Sequence, residues 1–592
     1  MSNNIVITGQ GIISAIGVGT DAVLKSLREG RTGIGSMKHL NSIHHELPVG
    51  EVDLSNDEIK TLLGIDCSTE ISRTALLGMI ALQQAVDESG IKTLKQVSPD
   101  KRIVLISGTT VGGMDLTEQY FGSFDQDDSH IECLWQHDCG SNTELMADHF
   151  GLFDESTTIS TACSSAANAI ILAANLIKAG QADIIVAGGT EALSRFHLNG
   201  FNSLQILDKN ICRPFDDERM GLNLGEGAAF IVLEREDEAR RRGTDIYGYL
   251  TGYGNACDAF HQTASSENGE GAFMAMTTAL EMAGLHPEDI NYVNAHGTAT
   301  PNNDQSESAA LKRVFGNQMP PVSSTKCYTG HTTSASGSIE AVISLLAMKH
   351  GFVPANLGWN NPMPEGIIPS MGLEHYEINH VQCNSFGFGG NDSSLIFSRS
   401  AIANKETGFG NADDITVLAQ VEITDESELE EIRNYVKPLE ARRMGKIMKS
   451  SLLSSLKALE IAGIDTPDAI ITATAWGCLD YSERLLKQLQ EEGEVLLKPT
   501  YFMQSTHNTI GSNIAIRLKC HGYNVTYTHG AKSLEWAIRD AKLLLQSGKY
   551  KTVLVGVHDE VTPMMRSLME RLGMKVMPSS FYSKAIVMSC GR

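Results

Sequence analysis

Residues Cys163–Glu191 read CSSAANAIILAANLIKAGQADIIVAGGTE, and the fold turns on them. From Cys163 to Ala179 small and apolar residues recur at helical spacing, Gly180 suits the position after a helix end, and Asp183–Ala187 is a short apolar run that closes on glycines. The unit is helix, turn and buried strand. IVITGQG (Ile5–Gly11) and RIVLISGTTVGG (Arg102–Gly113) read as further buried strands with tight turns at their carboxyl ends. Residues Gly271–Thr300 repeat the order, with a helix ending near Gly284, a strand near Tyr292–Ala295 and His296 just past it. This alternation predicts a layered α/β architecture with a mostly parallel sheet.

The pattern also recurs near the end of the chain. AIRDAKLLLQSGKYKTVLVGVHDE (Ala537–Glu560) matches Ala169–Glu191 in helix, glycine and strand, and AIITATAWGCL (Ala469–Leu479) resembles IVLISGTTVGGM (Ile103–Met114). The last part of the chain therefore reads as a shortened copy of the first half. Setting Gly548 on Gly180 brings Ala531 opposite Cys163, and a slip of one brings Lys532 there. Neither is a thiol, so the copy lacks whatever chemistry Cys163 performs.

At 592 residues the chain exceeds one core and suggests two to four domains. Its composition, 42% hydrophobic and 20% charged, is that of a globular protein. No stretch approaches the ~18 apolar residues of a membrane helix, and MSNNIVITGQGIIS carries no basic region ahead of an apolar run, so a cytoplasmic protein is expected. The 11 cysteines, scattered and free of CxxC pairs, fit reduced thiols. A net charge of −24 argues against nucleic acid. The charge is uneven: from Asp414 onward 22 Lys+Arg face 21 Asp+Glu, whereas residues 1–413 carry 25 against 50. Two bodies with different surfaces follow, joined near the polar stretch Ser398–Asp414.

The thiolate is the nucleophilic form of cysteine, and a helix start favours it through unpaired N–H groups and the positive end of the macrodipole. Cys163 has that position among small neighbours that admit a bulky group. NAHGTATPNND puts His296 between a strand end and a glycine turn, and STKCYTGHTTSASG puts His331 five residues beyond Lys326. Together they point to nucleophilic catalysis with two imidazoles at hand. A zinc site built from the same three residues is disfavoured, because such sites usually take two ligands from one short segment.

These residues carry a resemblance. TACSSAANAI, GGTEAL, RPFDDERMGLNLGEGAA, NAHGTATPNND, STKCYTGHT and NSFGFGGND follow one another over residues 1 to about 400 in the order and spacing of the β-ketoacyl-carrier-protein synthases. The resemblance implies a thiolase-like five-layer αβαβα body, with residues 1–250 and 251–400 as its related halves, a linker at 401–413, and a ketosynthase-like α/β half-domain at 414–592. It implies that Cys163 takes the acyl chain from a carrier-protein phosphopantetheine thioester, and that His296 and His331 stabilise the oxyanion of a decarboxylating malonyl thioester. It also implies that the amides of Cys163 and Phe388 meet the acyl oxyanion, with Gly387 and Gly389 letting the Phe388 gate swing. Lys326 would orient the histidines, with Glu307 and Asp304 in support. No bound cofactor or metal is implied, and the partners are acyl carrier protein, malonyl and acyl thioesters, and a second subunit in a homo- or heterodimer.

The likeness has departures. Leu222 stands where the family often has an aromatic residue, and TTSASG after His331 is unusually polar, which leaves acyl specificity open. The helix near Ser72–Gly90, where the family tends to greet acidic carriers with basic residues, is approached by Lys60 and Arg73 against Asp57, Glu58, Asp66 and Glu70. Arg442, Arg443, Lys446 and Lys449 in the terminal copy offer a basic landing surface instead. That copy resembles a ketosynthase-like half-domain found with condensing enzymes in bacterial clusters for aryl polyene pigments, and its His507 and His529 read as structural. Two alternatives remain: a CoA-dependent thiolase-like acyltransferase, and a non-elongating chain-length or scaffold subunit.

Overall fold

The computed structural model describes residues 4–124, 126–402, 414–495 and 497–591; all but two positions of the expected linker 401–413 lie outside the described residues. Three five-stranded sheets of one design run through the molecule. In the first, the order from edge to edge is Glu155–Ile159, Ile103–Gly108, Ile184–Glu191, Gly227–Arg235 and Ile5–Ser14. The second runs Val322–Ser323, Tyr292–Asn294, His380–Gly387, Asn391–Ser398 and Gly248–Cys257. The third runs Tyr523–Tyr527, Ala469–Ala473, Thr552–Glu560, Phe581–Cys590 and Ile415–Ile423. In each, the first three strands are parallel and the last two antiparallel. The expectation of a mostly parallel sheet is corrected to a mixed one, because an apolar run signals burial but carries no strand direction.

Layering follows from which helices are apolar all round. Ser165–Lys178 and Ser336–His350, both buried over nearly their whole length, pack against each other between the first and second sheets. Arg73–Ser89 covers the outer face of the first sheet, and Glu270–Ala283 that of the second. These are the five layers. Helix Lys446–Ala462 covers the third sheet in the same manner. The expected division at 250/251 falls inside the strand Gly248–Cys257.

The sheets join edge to edge. Ile5–Ile7 pairs antiparallel with Gly248–Leu250, which links the first two. The third is joined to the first where Tyr527 faces Ile159, with the Ser160 N–H on the Thr526 carbonyl at 2.9 Å and the Thr528 N–H on the Thr158 carbonyl at 3.0 Å. The outer edge of Glu155–Ile159 is thereby covered by the chain itself.

Candidate active site

Cys163 sits on a tight elbow between strand Glu155–Ile159 and helix Ser165–Lys178. Ala162 takes φ 51°, unusual for a residue with a Cβ, and the Ser165 hydroxyl locks the turn by donating to the Ala162 carbonyl at 2.6 Å while accepting the Thr161 N–H at 2.9 Å. The bend aims the sulfur into a cavity of about 530 Å³, which His296, His331, Phe201, Leu222 and Phe388 help to line.

His331 Nε2 lies 3.0 Å from Cys163 Sγ, and its Nδ1 lies 3.0 Å from Ser336 Oγ. The polar TTSASG stretch thus supplies the ring's second partner. The His331 backbone is fixed by a bridge to the LNLGEG segment: its N–H donates to the Asn223 carbonyl at 2.7 Å and its carbonyl accepts the Gly225 N–H at 3.0 Å. The His296 ring stands 5.4 Å from that of His331 at 84°, and its buried Nδ1 has no partner among the described residues. Donor atoms of Cys163, His296 and His331 lie within 4.8 Å of one another. Both rings are thus within reach of the sulfur, as the sequence leads one to expect.

Burial first, and the charge of Lys326 second, hold both imidazoles well below their ordinary pKa. Each ring is neutral at pH 7 and carries one N–H. Lys326 is 1% exposed and pairs with Glu340, itself pushed up to about 7 by burial. The thiol departs from expectation. Burial pushes Cys163 up to about 12, against the opposing pull of Lys326 and of the Phe388 and Cys163 amides. In the resting protein the group is therefore a thiol, because desolvation outweighs the helix terminus.

The supporting carboxylates shape backbone. Glu307 accepts the N–H groups of His296 and Gly297 at 2.9 and 2.7 Å, and Asp304 accepts those of Phe215 and Ala299 at 2.7 and 3.1 Å. Neither bonds Lys326. Its counter-charge, Glu340, escaped the sequence reading, although a lone acid in the apolar helix Ser336–His350 was a signal for it. Gly387 packs so close to the elbow that a Cβ there would come within 2.7 Å of the Thr161 carbonyl oxygen, which brings the Gly387–Gly389 loop and the Phe388 amide up to the sulfur. Arg73, one of the two basic residues on the approach to the helix near Ser72–Gly90, is turned inward onto Glu226.

The third repeat keeps the elbow without the thiol. Gly530 takes φ 52°, and the Ser533 hydroxyl accepts the His529 N–H at 2.7 Å and donates to the Gly530 carbonyl at 2.8 Å. That register places Ala531, which is exposed, opposite Cys163. His529 instead spans the seam, with Nε2 on Glu144 at 2.8 Å and Nδ1 on Thr158 at 3.1 Å.

An elbow cysteine facing two neutral imidazoles, at the strand ends of a duplicated α/β sandwich, defines a thiol enzyme of the thiolase-like fold. Residues 2–239 and 247–360 match the N-terminal and C-terminal domains of beta-ketoacyl synthase, and residues 419–580 match a second beta-ketoacyl synthase N-terminal domain. The 3-oxoacyl-acyl-carrier-protein synthase 2 of Vibrio cholerae is 32% identical over 423 residues, which cover 67% of this chain and 99% of that protein. The protein of the same name from Synechocystis is 33% identical over 410 residues, covering 67% and 98%. The chain belongs to the β-ketoacyl synthase family. Among solved structures, the ketosynthase ApeO in complex with its chain length factor ApeC from Xenorhabdus doucetiae matches with TM-score 0.58 and 31% identity over 67% of this chain and 98% of that one. The PfaC keto synthase-chain length factor shares the fold of the whole chain, with TM-score 0.80 at 16% identity, covering 100% of this chain and 78% of that one.

Proposed function

We propose that this protein condenses a Cys163-bound acyl group with a malonyl unit delivered by an acyl carrier protein, in fatty-acid or polyketide and polyene chain elongation. The observation that carries the reading is the Cys163–His331 contact of 3.0 Å with His296 beside it in one cavity. Cys163 Sγ attacks the acyl thioester; the carrier sulfur leaves and takes up the proton that Cys163 gives up, with His331 positioned to relay it. The tetrahedral oxyanion is met by the Cys163 and Phe388 amides. The malonyl thioester then binds with its carbonyl oxygen between the two ring N–H groups. Loss of carbon dioxide leaves its electron pair as an enolate, which those donors stabilise. The enolate carbon attacks the acyl-cysteine carbonyl, and the Cys163 thiolate leaves and takes up the one proton the overall reaction consumes from solvent. The phosphopantetheine arm belongs to the carrier, and the protein itself needs no bound cofactor.

The relatives named 3-oxoacyl-acyl-carrier-protein synthase 2 support elongation over the scaffold reading, as does the complete cysteine and histidine set. The pairing of two bodies is read as internal, the third repeat standing where a partner subunit would. The covered edge of Glu155–Ile159 and the whole-chain likeness to a keto synthase-chain length factor fold support this. The test of the function is incubation with octanoyl- and then malonyl-carrier protein. A Cys163→Ala variant forms neither acyl-enzyme nor product; condensation by that variant would refute the assignment.

A further inference from the structure

One segment of the third repeat, within residues 499–518, reaches across the seam to the loop that carries Phe388. Asn508 is 1% exposed and sits just ahead of helix Thr509–Leu518, and its Nδ2 donates to the Phe388 carbonyl and to Asn391 Oδ1, each at 2.8 Å. Two acceptors fix the amide's orientation. The same peptide is held from its other side, where the Gly389 N–H donates to the Gln262 carbonyl at 2.7 Å, and Gln504 Nε2 donates to Gln262 Oε1 at 2.7 Å. The ring is held too. Phe388 stacks on Phe201 with centroids 5.7 Å apart, and Phe201 lies 5.1 Å from Phe502. Asn508 therefore holds the carbonyl of one residue whose amide bears on the Cys163 sulfur, Gln504 braces the Gln262 that holds the other side of the same peptide, and Phe502 backs the Phe201 ring on which Phe388 stacks. There is no slack between loop and segment: Gly389 takes φ 85°, and a Cβ on it would come within 2.1 Å of Ser512 Oγ.

We propose that Asn508, assisted by Gln504 and Phe502, is the positioning residue of the Phe388 loop, so that the third repeat sets how far that loop opens over Cys163. Opening has to break the Asn508 hydrogen bond and the ring stack together, which ties access to the sulfur to an element outside the catalytic halves. The proposal rests on the reading of Cys163 as acyl acceptor, and its test separates the two.

Access is measured without any substrate, as the rate of iodoacetamide labelling at Cys163 read by peptide mass spectrometry, with exposed Cys67 as the internal reference. Asn508→Ala and Gln504→Ala each raise the Cys163 rate about tenfold and twofold or more, respectively, with Cys67 unchanged. Arg571→Ala, which removes a seam contact to the Phe124 carbonyl and Asp128, leaves it at the wild-type value. Acyl transfer from octanoyl-N-acetylcysteamine moves the opposite way in Asn508→Ala, falling about tenfold in kcat with KM within twofold, because the amide that should meet the oxyanion is no longer fixed. Thermal melts establish that the variants are folded; if Asn508→Ala does not fold, Gln504→Ala and the isosteric Asn508→Asp carry the same readout. An unchanged Cys163 rate in the folded variants, or an equal rise in Arg571→Ala, overturns the proposal. Faster alkylation with no octanoyl transfer by the wild type would leave the gate intact and refute the acyl-acceptor reading.

Discussion

At the residue scale, the chemistry depends on three neutral groups kept together by one buried ion pair. The Cys163 thiol sits far above neutrality, so its thiolate fraction grows tenfold per pH unit across the accessible range. Iodoacetamide labelling at Cys163 accordingly climbs without levelling from pH 7 to 9; a plateau below pH 8 would contradict the burial argument. Lys326 and Glu340 are 1% and 2% exposed. Glu340→Ala strands the ammonium and costs about 3–5 kcal/mol in urea denaturation. Lys326→Met with Glu340→Leu recovers most of that stability but not the activity, because the charge that adds to burial in holding both rings neutral is gone. Cys163, His296, His331 and Lys326 were legible in the sequence because each sits in a short stretch whose neighbours are set by tight turns. Asn508 was not, because its role comes from a contact across elements that no local pattern encodes, and Glu340 and Ser336 left only faint signals, a lone acid in an apolar helix and a polar stretch after His331.

At the element scale, an elbow alone does not make a site. Helix Ser533–Gln546 starts from the same hydroxyl-locked turn as Ser165–Lys178, yet its Ala531 is exposed whereas Cys163 is buried. Ala531→Cys is therefore alkylated rapidly and takes no octanoyl group from carrier protein; an octanoyl adduct on the introduced thiol by mass spectrometry would contradict this. The absence of a second thiol was readable from the repeat register, but the burial difference between the two elbows was not. The basic stretch before helix Lys446–Ala462 presents Arg442 and Lys446 at the surface, Lys446 in an exposed pair with Glu426. Neutralising Arg442, Arg443, Lys446 and Lys449 together weakens carrier-protein affinity severalfold at low salt and little at high salt, measured by calorimetry. Unchanged affinity at low salt would reject the landing surface.

At the scale of the whole molecule, three copies of one five-stranded sheet explain both the catalytic body and its attached lobe. The repeat was visible as helix, glycine and strand, but strand direction and the joining of the third sheet to the first were not, since both depend on which edges meet. The seam is partly electrostatic: Glu144, hydrogen-bonded by His529 and then Lys532, is held down to about 2. A carboxyl held below its ordinary 4.5 gives its full contribution above that value and loses it as pH falls toward 2, so the seam loosens in that window. Glu144→Gln removes this acid dependence in proteolysis at the seam. With its sheet edge covered by its own chain, the protein sediments as a single 64.1 kDa particle at micromolar concentration; a particle of twice that mass would contradict internal pairing.

The proposed condensation requires a sulfur that carries the chain and two ring donors that drive decarboxylation. Intact-protein mass spectrometry after octanoyl-carrier and then malonyl-carrier protein tests both steps at once. The wild type gains an octanoyl group at Cys163 and loses it as 3-oxodecanoyl-carrier appears, while His296→Ala and His331→Ala hold the acyl group and elongate about 10²–10³-fold more slowly. Elongation at wild-type rate in either histidine variant, or an acyl group found elsewhere than Cys163, would contradict it.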